Sequence, residues 1–194
     1  MHLPALLTVL LGVRVAHTSL ITSSSFPGGI NLTSPTPIPP FDLPALLPVP
    51  SHPDPAATEL IRTTMGHYPL SIDGKNFTAL ALVFAADAVA NYSAPLGVLT
   101  PLETIQAVLE SSLEKVTTQH ALSTQVIELL SEGEAFSVTY FTATHFGVGV
   151  YEGEIAVAYG QYQDFWVLQH HSWKIRHRNL VYMGPVIGNL SIFN

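Results

Sequence analysis

The sequence predicts an α+β domain, with N-terminal helices packed on one face of a curved, mostly antiparallel sheet. Three observations lead there. Helical apolar spacing dominates the first part of residues 55–194. Long strand-like segments dominate the second part, and turn-forming residues separate them where hairpins would need them. Helices first and a meander afterwards is the order of an α+β domain. A sheet wrapped around helices leaves a cavity at its open end, a usual place for a ligand.

Three helices are expected. The first covers Ala56–Tyr68, with Leu60, Ile61 and Met65 on one face, and Pro69 is expected to end or kink it. The second covers Phe77–Ala86, followed by a short strand over Ala88–Tyr92 and a loop at Pro95–Gly97. Thr100-Pro101-Leu102-Glu103 reads as a capping box with proline at the first helical position. It opens the third helix, with Ile105, Val108, Leu109 and Leu113 on its apolar face. Strands are expected over about 117–130, 135–147, 154–168 and 173–183. Their turns are Ser131–Glu134, a Gly-rich bend at Gly147–Gly153, and Gln169–Ser172. No internal repeat is visible.

Charge sets the partner classes. Lys and Arg number 7 against 14 Asp and Glu, for a net charge of −7. Nucleic-acid binding needs a basic stripe to neutralise phosphates, and a polybasic membrane patch needs the same residues. Neither partner is expected, whereas a small-molecule substrate is. Apolar residues make up 47% and charged residues 11%, enough for a sizeable core. Cysteine is absent, which removes disulfides, thiolate nucleophiles and Cys-ligated zinc.

Residues 1–23 open with an apolar run, Leu3–Val13, too short to span a bilayer and fitting the core of a secretory signal peptide. No stable membrane span is expected in the mature chain. Residues 24–54 are rich in Ser, Thr and Pro around Pro35–Pro40 and read as an extended linker, so the domain is expected to run from 55 to 194. Four of the six asparagines, Asn31, Asn76, Asn91 and Asn189, head Asn-x-Ser/Thr sequons. With the leader they predict a glycoprotein of the secretory pathway, secreted or in the ER lumen.

The hairpin between the first two long strands brings two histidines together. If residues 131–134 form the loop, Leu130 lies opposite Ala135, and equal counting outward sets His120 opposite His145. A two-residue Glu132-Gly133 turn leads to the same pairing, with Cβ atoms roughly 4.5–5.5 Å apart. A three-residue loop or a bulge would shift that register. Each imidazole can titrate near neutrality, and proximity discourages charging both, so one can serve as base and the other as acid. Asp73, at the close of the first helix, is a candidate to orient one imidazole, and equally a turn aspartate at Asp-Gly. Tyr92 can donate a phenol hydrogen bond to a carbonyl or pack as core; Tyr68 is a similar case.

Taken together, Ser71-Ile72-Asp73-Gly74-Lys75-Asn76-Phe77, Phe84–Tyr92, Thr118-Gln119-His120 and Ala143-Thr144-His145 resemble the scytalone dehydratase branch of the SnoaL-like, NTF2-like superfamily, in particular its fungal members. The likeness covers roughly residues 55–184. It implies a cone-shaped α+β barrel with a deep pocket and no cofactor. It also implies candidate catalytic roles: His120 as acid and base, His145 and Asp73 in support, and Tyr92 polarising a substrate carbonyl. Tyr68, Phe84 and Tyr162 are then expected to line the substrate pocket. Two departures stand out. Ile72 occupies a position where the dehydratase has tyrosine, and the polar pocket residues of its third long strand fall near Gly160 and Tyr162. The resemblance therefore implies a shared catalytic skeleton with another substrate. The reading is a cofactor-independent dehydratase, isomerase or cyclase acting on a polyketide- or terpenoid-like intermediate of secondary metabolism.

Other signals weigh less. Gly147, Gly149 and Gly153 join strands and open no helix, so they read as a turn and not a dinucleotide fingerprint. His170-His171 and the basic residues of Trp173–Arg178 read as solvated. An epoxide-opening hydrolase or cyclase is the first rival; it would need carboxylates near an arginine, and Asp164 and Arg176 fall on no neighbouring positions that the turns register. A non-catalytic binding or dimerising module is the second rival. Long exposed strands would allow a homo-oligomer, and the sequence leaves the oligomeric state open.

Overall fold

In the computed structural model, which describes residues 29–47, 49 and 54–194, the first described helix is the short α1 (Leu43–Leu46). The expected signal peptide, residues 1–23, lies outside the described residues. The first long helix, α2 (Pro55–Asp73), starts where Asp54 accepts hydrogen bonds from the N–H groups of Ala56 and Ala57 and proline occupies the first turn. Its buried stripe is Ile61, Met65, Tyr68 and Ile72, a helical spacing. That stripe overrides the expectation that Pro69 ends the helix. Pro69 forfeits one backbone bond, but burial of Tyr68 and Ile72 on either side carries the helix to Asp73.

The helix expected over Phe77–Ala86 is a 3-10 helix, Phe77–Leu82, capped by Asn76 accepting from the Ala79 N–H. Strand β1 then begins at Phe84 and runs to Asn91, earlier than expected. The reason is tertiary: β1 forms a parallel ladder with the last long strand, Ala90 opposite Arg178, and buries Phe84, Ala85, Ala88 and Ala90. After β2 (Val98–Leu99) comes α3 (Leu102–Leu113). The expected capping box is not formed. Pro101, with extended backbone, is itself the cap residue, Thr100 lies outside, and no side chain caps the helix. Among the described residues, four helical segments therefore precede the meander, not three.

The meander matches the expected strands closely: β3 (Val116–Leu129), β4 (Glu134–Gly147), β5 (Ile155–Gln169) and β6 (Ser172–Tyr182), with β7 (Ile187–Gly188) pairing β5. Sheet order is β2-β1-β6-β5-β4-β3. No ladder joins β2 to β3, so the sheet is curved but unclosed, and the expected barrel is an open cone. α2, the 3-10 helix Phe77–Leu82 and α3 cover its inner face. The main core lies between, built on Ile61, Met65, Ile105, Leu109, Trp166 and Ile175.

The stretch expected as a linker is, over residues 29–47, folded onto the outer face. Leu32, Ile38, Leu43 and Leu46 form a second apolar cluster with Phe136, Val138, Phe165 and Val167. Side-chain amides grip its backbone: Gln163 accepts from the Ile38 N–H and donates to the Ile38 carbonyl, both at 2.8 Å. Asn179 donates to the Ser34 carbonyl and Asn91 to the Pro35 carbonyl. A proline-rich segment that cannot join a ladder is held instead by side chains that reach its backbone at Ser34, Pro35 and Ile38. No helix among the described residues is long and apolar enough to cross a membrane.

Candidate active site

The histidines are not directly opposed. The β3–β4 loop leaves three residues, 131–133, unpaired, with the Leu130 and Ser131 N–H groups both donating to the Glu134 carbonyl. An extra residue on β3 between Leu122 and Gln125 then makes a bulge. Each shift moves the pairing by one residue. His120 therefore faces Ala143, and His145 faces Thr118. Two single shifts restore the alternation of faces, so both rings still point inward, as diagonal neighbours with centroids 6.1 Å apart and edge-to-face.

Asp73, the last residue of α2, reaches β3. Its Oδ1 accepts from His120 Nδ1 at 2.7 Å and from the Thr118 hydroxyl at 2.9 Å, while Oδ2 accepts from the His120 backbone N–H at 2.8 Å. The carboxylate can only accept, so His120 Nδ1 carries a hydrogen, and in the neutral ring Nε2 holds the lone pair. The His120 side chain is 8% exposed and that of Asp73 25%. Burial pushes the Asp73 carboxyl up, but the His120 side-chain and backbone bonds, the charge of His120 and the Thr118 hydroxyl outweigh it, and the net pKa lies below 3.8. His145 Nδ1 faces the Ala156 carbonyl at 3.2 Å, which selects the same tautomer. Burial lowers the His145 pKa below 6.5; the Ala156 bond opposes this, and the nearby charges of His120 and Lys75 add to it. The net shift favours the neutral His145 ring.

Both rings line one cavity of about 80 Å³. Tyr68, Tyr92, Tyr162, Tyr182 and Ser112 supply its other polar groups; Ile72, Leu109, Phe141 and Leu180 form much of its apolar wall. A ring-sized ligand would need partly exposed lining residues, such as Leu96 and Tyr182, to give. Tyr68 and Tyr92 face each other through their hydroxyls at 3.2 Å, and Tyr162 packs edge-on to Tyr68. Phe84, expected in the pocket wall, is not there: it is buried behind Tyr68, ring centroids 6.0 Å apart. Among the described residues no three of His, Asp or Glu are placed to hold a metal ion.

The residue that sequence reasoning missed is Arg178. Expected on a solvated face, it is buried and sits opposite Asp164. Its Nε and Nη2 donate to the two Asp164 oxygens at 2.7 and 2.8 Å. Counting back from the His170-His171 turn, both residues at positive φ and exposed, sets Asp164 against His177. A bulge between Phe165 and Trp166 moves the partner to Arg178. Of the sequons, Asn31 and Asn76 are exposed, and each Oδ1 accepts from its own motif's threonine hydroxyl. Asn91 commits its amide to Pro35, and half-buried Asn189 caps the 3-10 helix Leu190–Phe193.

Comparison with known proteins agrees with this geometry. The SnoaL-like domain family matches residues 56–179. The chain belongs to that family. A candidate scytalone dehydratase from Novosphingobium aromaticivorans DSM 12444 is 25% identical, with TM-score 0.62 over 69% of this chain and 88% of that one. The hexachlorocyclohexane dehydrochlorinase LinA type 2 shares the fold at 14% identity, TM-score 0.60, over 72% and 93%. ActVI-ORFA from Streptomyces coelicolor shares it at 19% identity, TM-score 0.53, over 66% and 98%. No sequence among the curated proteins matches. The fold of this SnoaL-like chain is thus NTF2-like, with mixed α+β structure and an unclosed sheet. The outer-face segment 29–47 and α1 precede the matched region.

Proposed function

We propose that this chain is a cofactor-independent acid–base enzyme of secondary metabolism, a dehydratase or a related isomerase or cyclase. Its substrate would be a polyketide- or terpenoid-like compound carrying a carbonyl. The observation that carries the reading is the Asp73–His120 dyad, its imidazole lining a cavity that also holds His145 and four phenols. Nε2 would take a proton from the carbon next to the carbonyl, and the electron pair would move to the carbonyl oxygen, held by Tyr92 and Tyr68. As that charge returned, a hydroxyl on the next carbon would leave, taking the proton from His120, and the products would be an unsaturated carbonyl and water. Asp73 would stabilise the transient imidazolium, and neutral His145 would position the leaving oxygen. The scytalone dehydratase likeness supports a dehydration.

The test is a metabolite profile. Deletion, or replacement by His120→Ala, is expected to accumulate a precursor heavier by one water than the normal product. An unchanged profile with His120→Ala would reduce the chain to a binding module. The Asp164–Arg178 pair favours a second reading, epoxide opening, because such chemistry uses a carboxylate beside an arginine. Both side chains are sealed from the cavity, however, and the Asp73 carboxylate is committed to His120. Incorporation of labelled oxygen from water into the product would select the epoxide reading. We also place the chain in the secretory pathway, with Asn31 and Asn76 as the favoured glycosylation sites; a mobility shift on deglycosylation that N31Q and N76Q abolish tests this.

A further inference from the structure

Behind the phenols lies an ion pair that the acid–base reading does not use. The side chains of Arg178 and Asp164 are both 0% exposed. The guanidinium carbon sits 4.1 Å from the centre of the Tyr162 ring and 4.3 Å from that of Tyr68. Both rings line the cavity, as does Tyr92, hydrogen-bonded to Tyr68. Arg178 Nη1 has no hydrogen-bond partner among the described residues.

Stability alone does not account for this arrangement. Apolar residues of similar size often replace a buried ion pair without loss, and an unpartnered N–H adds a further penalty. The pair is also asymmetric: its cationic end stacks on the cavity wall, and its anionic end holds the cation in place through two bonds. Resting on the carbonyl chemistry proposed above, we propose that Arg178, anchored by Asp164, is a positioning residue that biases the Tyr68, Tyr92 and Tyr162 wall toward negative charge on oxygen, so the site selects substrates that react through an enolate-like oxyanion. A cation stacked on phenol rings in a dry interior polarises their hydroxyls as donors. Burial pushes the pKa values of Tyr92 and Tyr162 well above 10.0 and Arg178 only partly opposes it, so both phenols stay protonated and able to donate. The hydroxyls would form the contact, and the guanidinium would act through them.

The test uses 4-nitrophenol, whose bound ionisation state is read by absorbance, beside nitrobenzene as the neutral counterpart. The variants are D164V/R178M, which removes both charges together, and R178K, which keeps a charge but loses the planar fork and its stacking. The wild type is expected to bind 4-nitrophenol as the anion at a pH below its value in water. D164V/R178M should lose about tenfold in affinity for the anion, a modest share of the effect of removing a direct oxyanion donor, with nitrobenzene binding within about twofold of wild type. R178K should fall between. Equal loss for both probes, or an unchanged preference for the anion, overturns the proposal, and R178K alone decides it if the double variant does not fold. Failure of wild type to bind either probe overturns it together with the site. Loss of the anion preference on charge removal beside an unaltered metabolite profile in His120→Ala would sink the lyase reading and leave this one standing.

Discussion

Asp73→Asn is the most informative single substitution. Asp73 accepts three hydrogen bonds, at 2.7 Å from His120 Nδ1, 2.8 Å from the His120 N–H and 2.9 Å from the Thr118 hydroxyl. An asparagine has one accepting oxygen and one donating nitrogen. With its oxygen in the Oδ1 position, the NH₂ meets the His120 N–H, donor against donor. With its oxygen in the Oδ2 position, the NH₂ meets His120 Nδ1, which must become the acceptor, while Thr118 can turn its hydroxyl to accept. The second placement costs less, and it moves the ring hydrogen to Nε2. Bonds to a charged group contribute about 1.5–3 kcal/mol and neutral ones about 0.5–1.5, so three weakened bonds at this partly buried site predict a loss of about 2–3 kcal/mol. The tautomer change removes the base from the cavity and predicts a fall in turnover of about 10²-fold or more. Urea unfolding at pH 7.5 reads the first effect. Long-range ¹H–¹⁵N spectra of the histidine ring read the tautomer directly. An unchanged Nδ1–H tautomer in the variant would refute the reasoning, whatever the stability.

Acidification should weaken the fold before the carboxylates titrate. Burial holds the pKa values of His145 and His177 below 6.5, so the unfolded chain binds protons that the folded chain refuses as pH falls below that value. Urea midpoints should drop between about pH 7 and pH 5, less steeply in H145F, and least in H145F/H177Q; parallel profiles in all three would contradict this. Asp73 acts in the same sense at lower pH: its contribution is present above 3.8 and is lost as pH falls through its depressed native value. Gln163→Ala strands the Ile38 N–H and carbonyl that its amide satisfies, and should cost about 1–3 kcal/mol. Limited proteolysis should then cut within residues 29–47 sooner, with the His120 tautomer unchanged. Gly160→Ala sets a Cβ 2.6 Å from the Phe141 ring and from the Val181 carbonyl. Because Phe141 stacks on Tyr162, a loss of about 1–3 kcal/mol should appear in Tm, along with altered nitrobenzene binding.

The strands and α3 were legible because each writes its own pattern. Apolar spacing along Ile105, Val108, Leu109 and Leu113, and turn residues at Gly133 and His170-His171, act locally and need no partner to be read. That Asp73 orients an imidazole followed from a motif order, and that His120 and His145 share a face followed from the two-residue alternation of strands; which ring Asp73 meets did not. What the sequence did not contain was the exact neighbour of each residue. Register shifts decided it: the three-residue β3–β4 loop and the β3 bulge together set the histidines diagonal, and a bulge in the β5–β6 ladder exchanged His177 for Arg178 opposite Asp164. A bulge responds to sheet curvature, which arises only when helices and strands pack together. For the same reason Arg178 looked solvated, since an alternating basic strand reads as surface until α2 covers it. Residues 29–47 looked like a linker because what holds their prolines in place is side chains such as Gln163, distant in sequence and brought near by the sheet. Local composition thus determined which elements form, and long-range packing determined which groups meet, because the energy of a buried contact depends on partners that no short stretch of chain can specify.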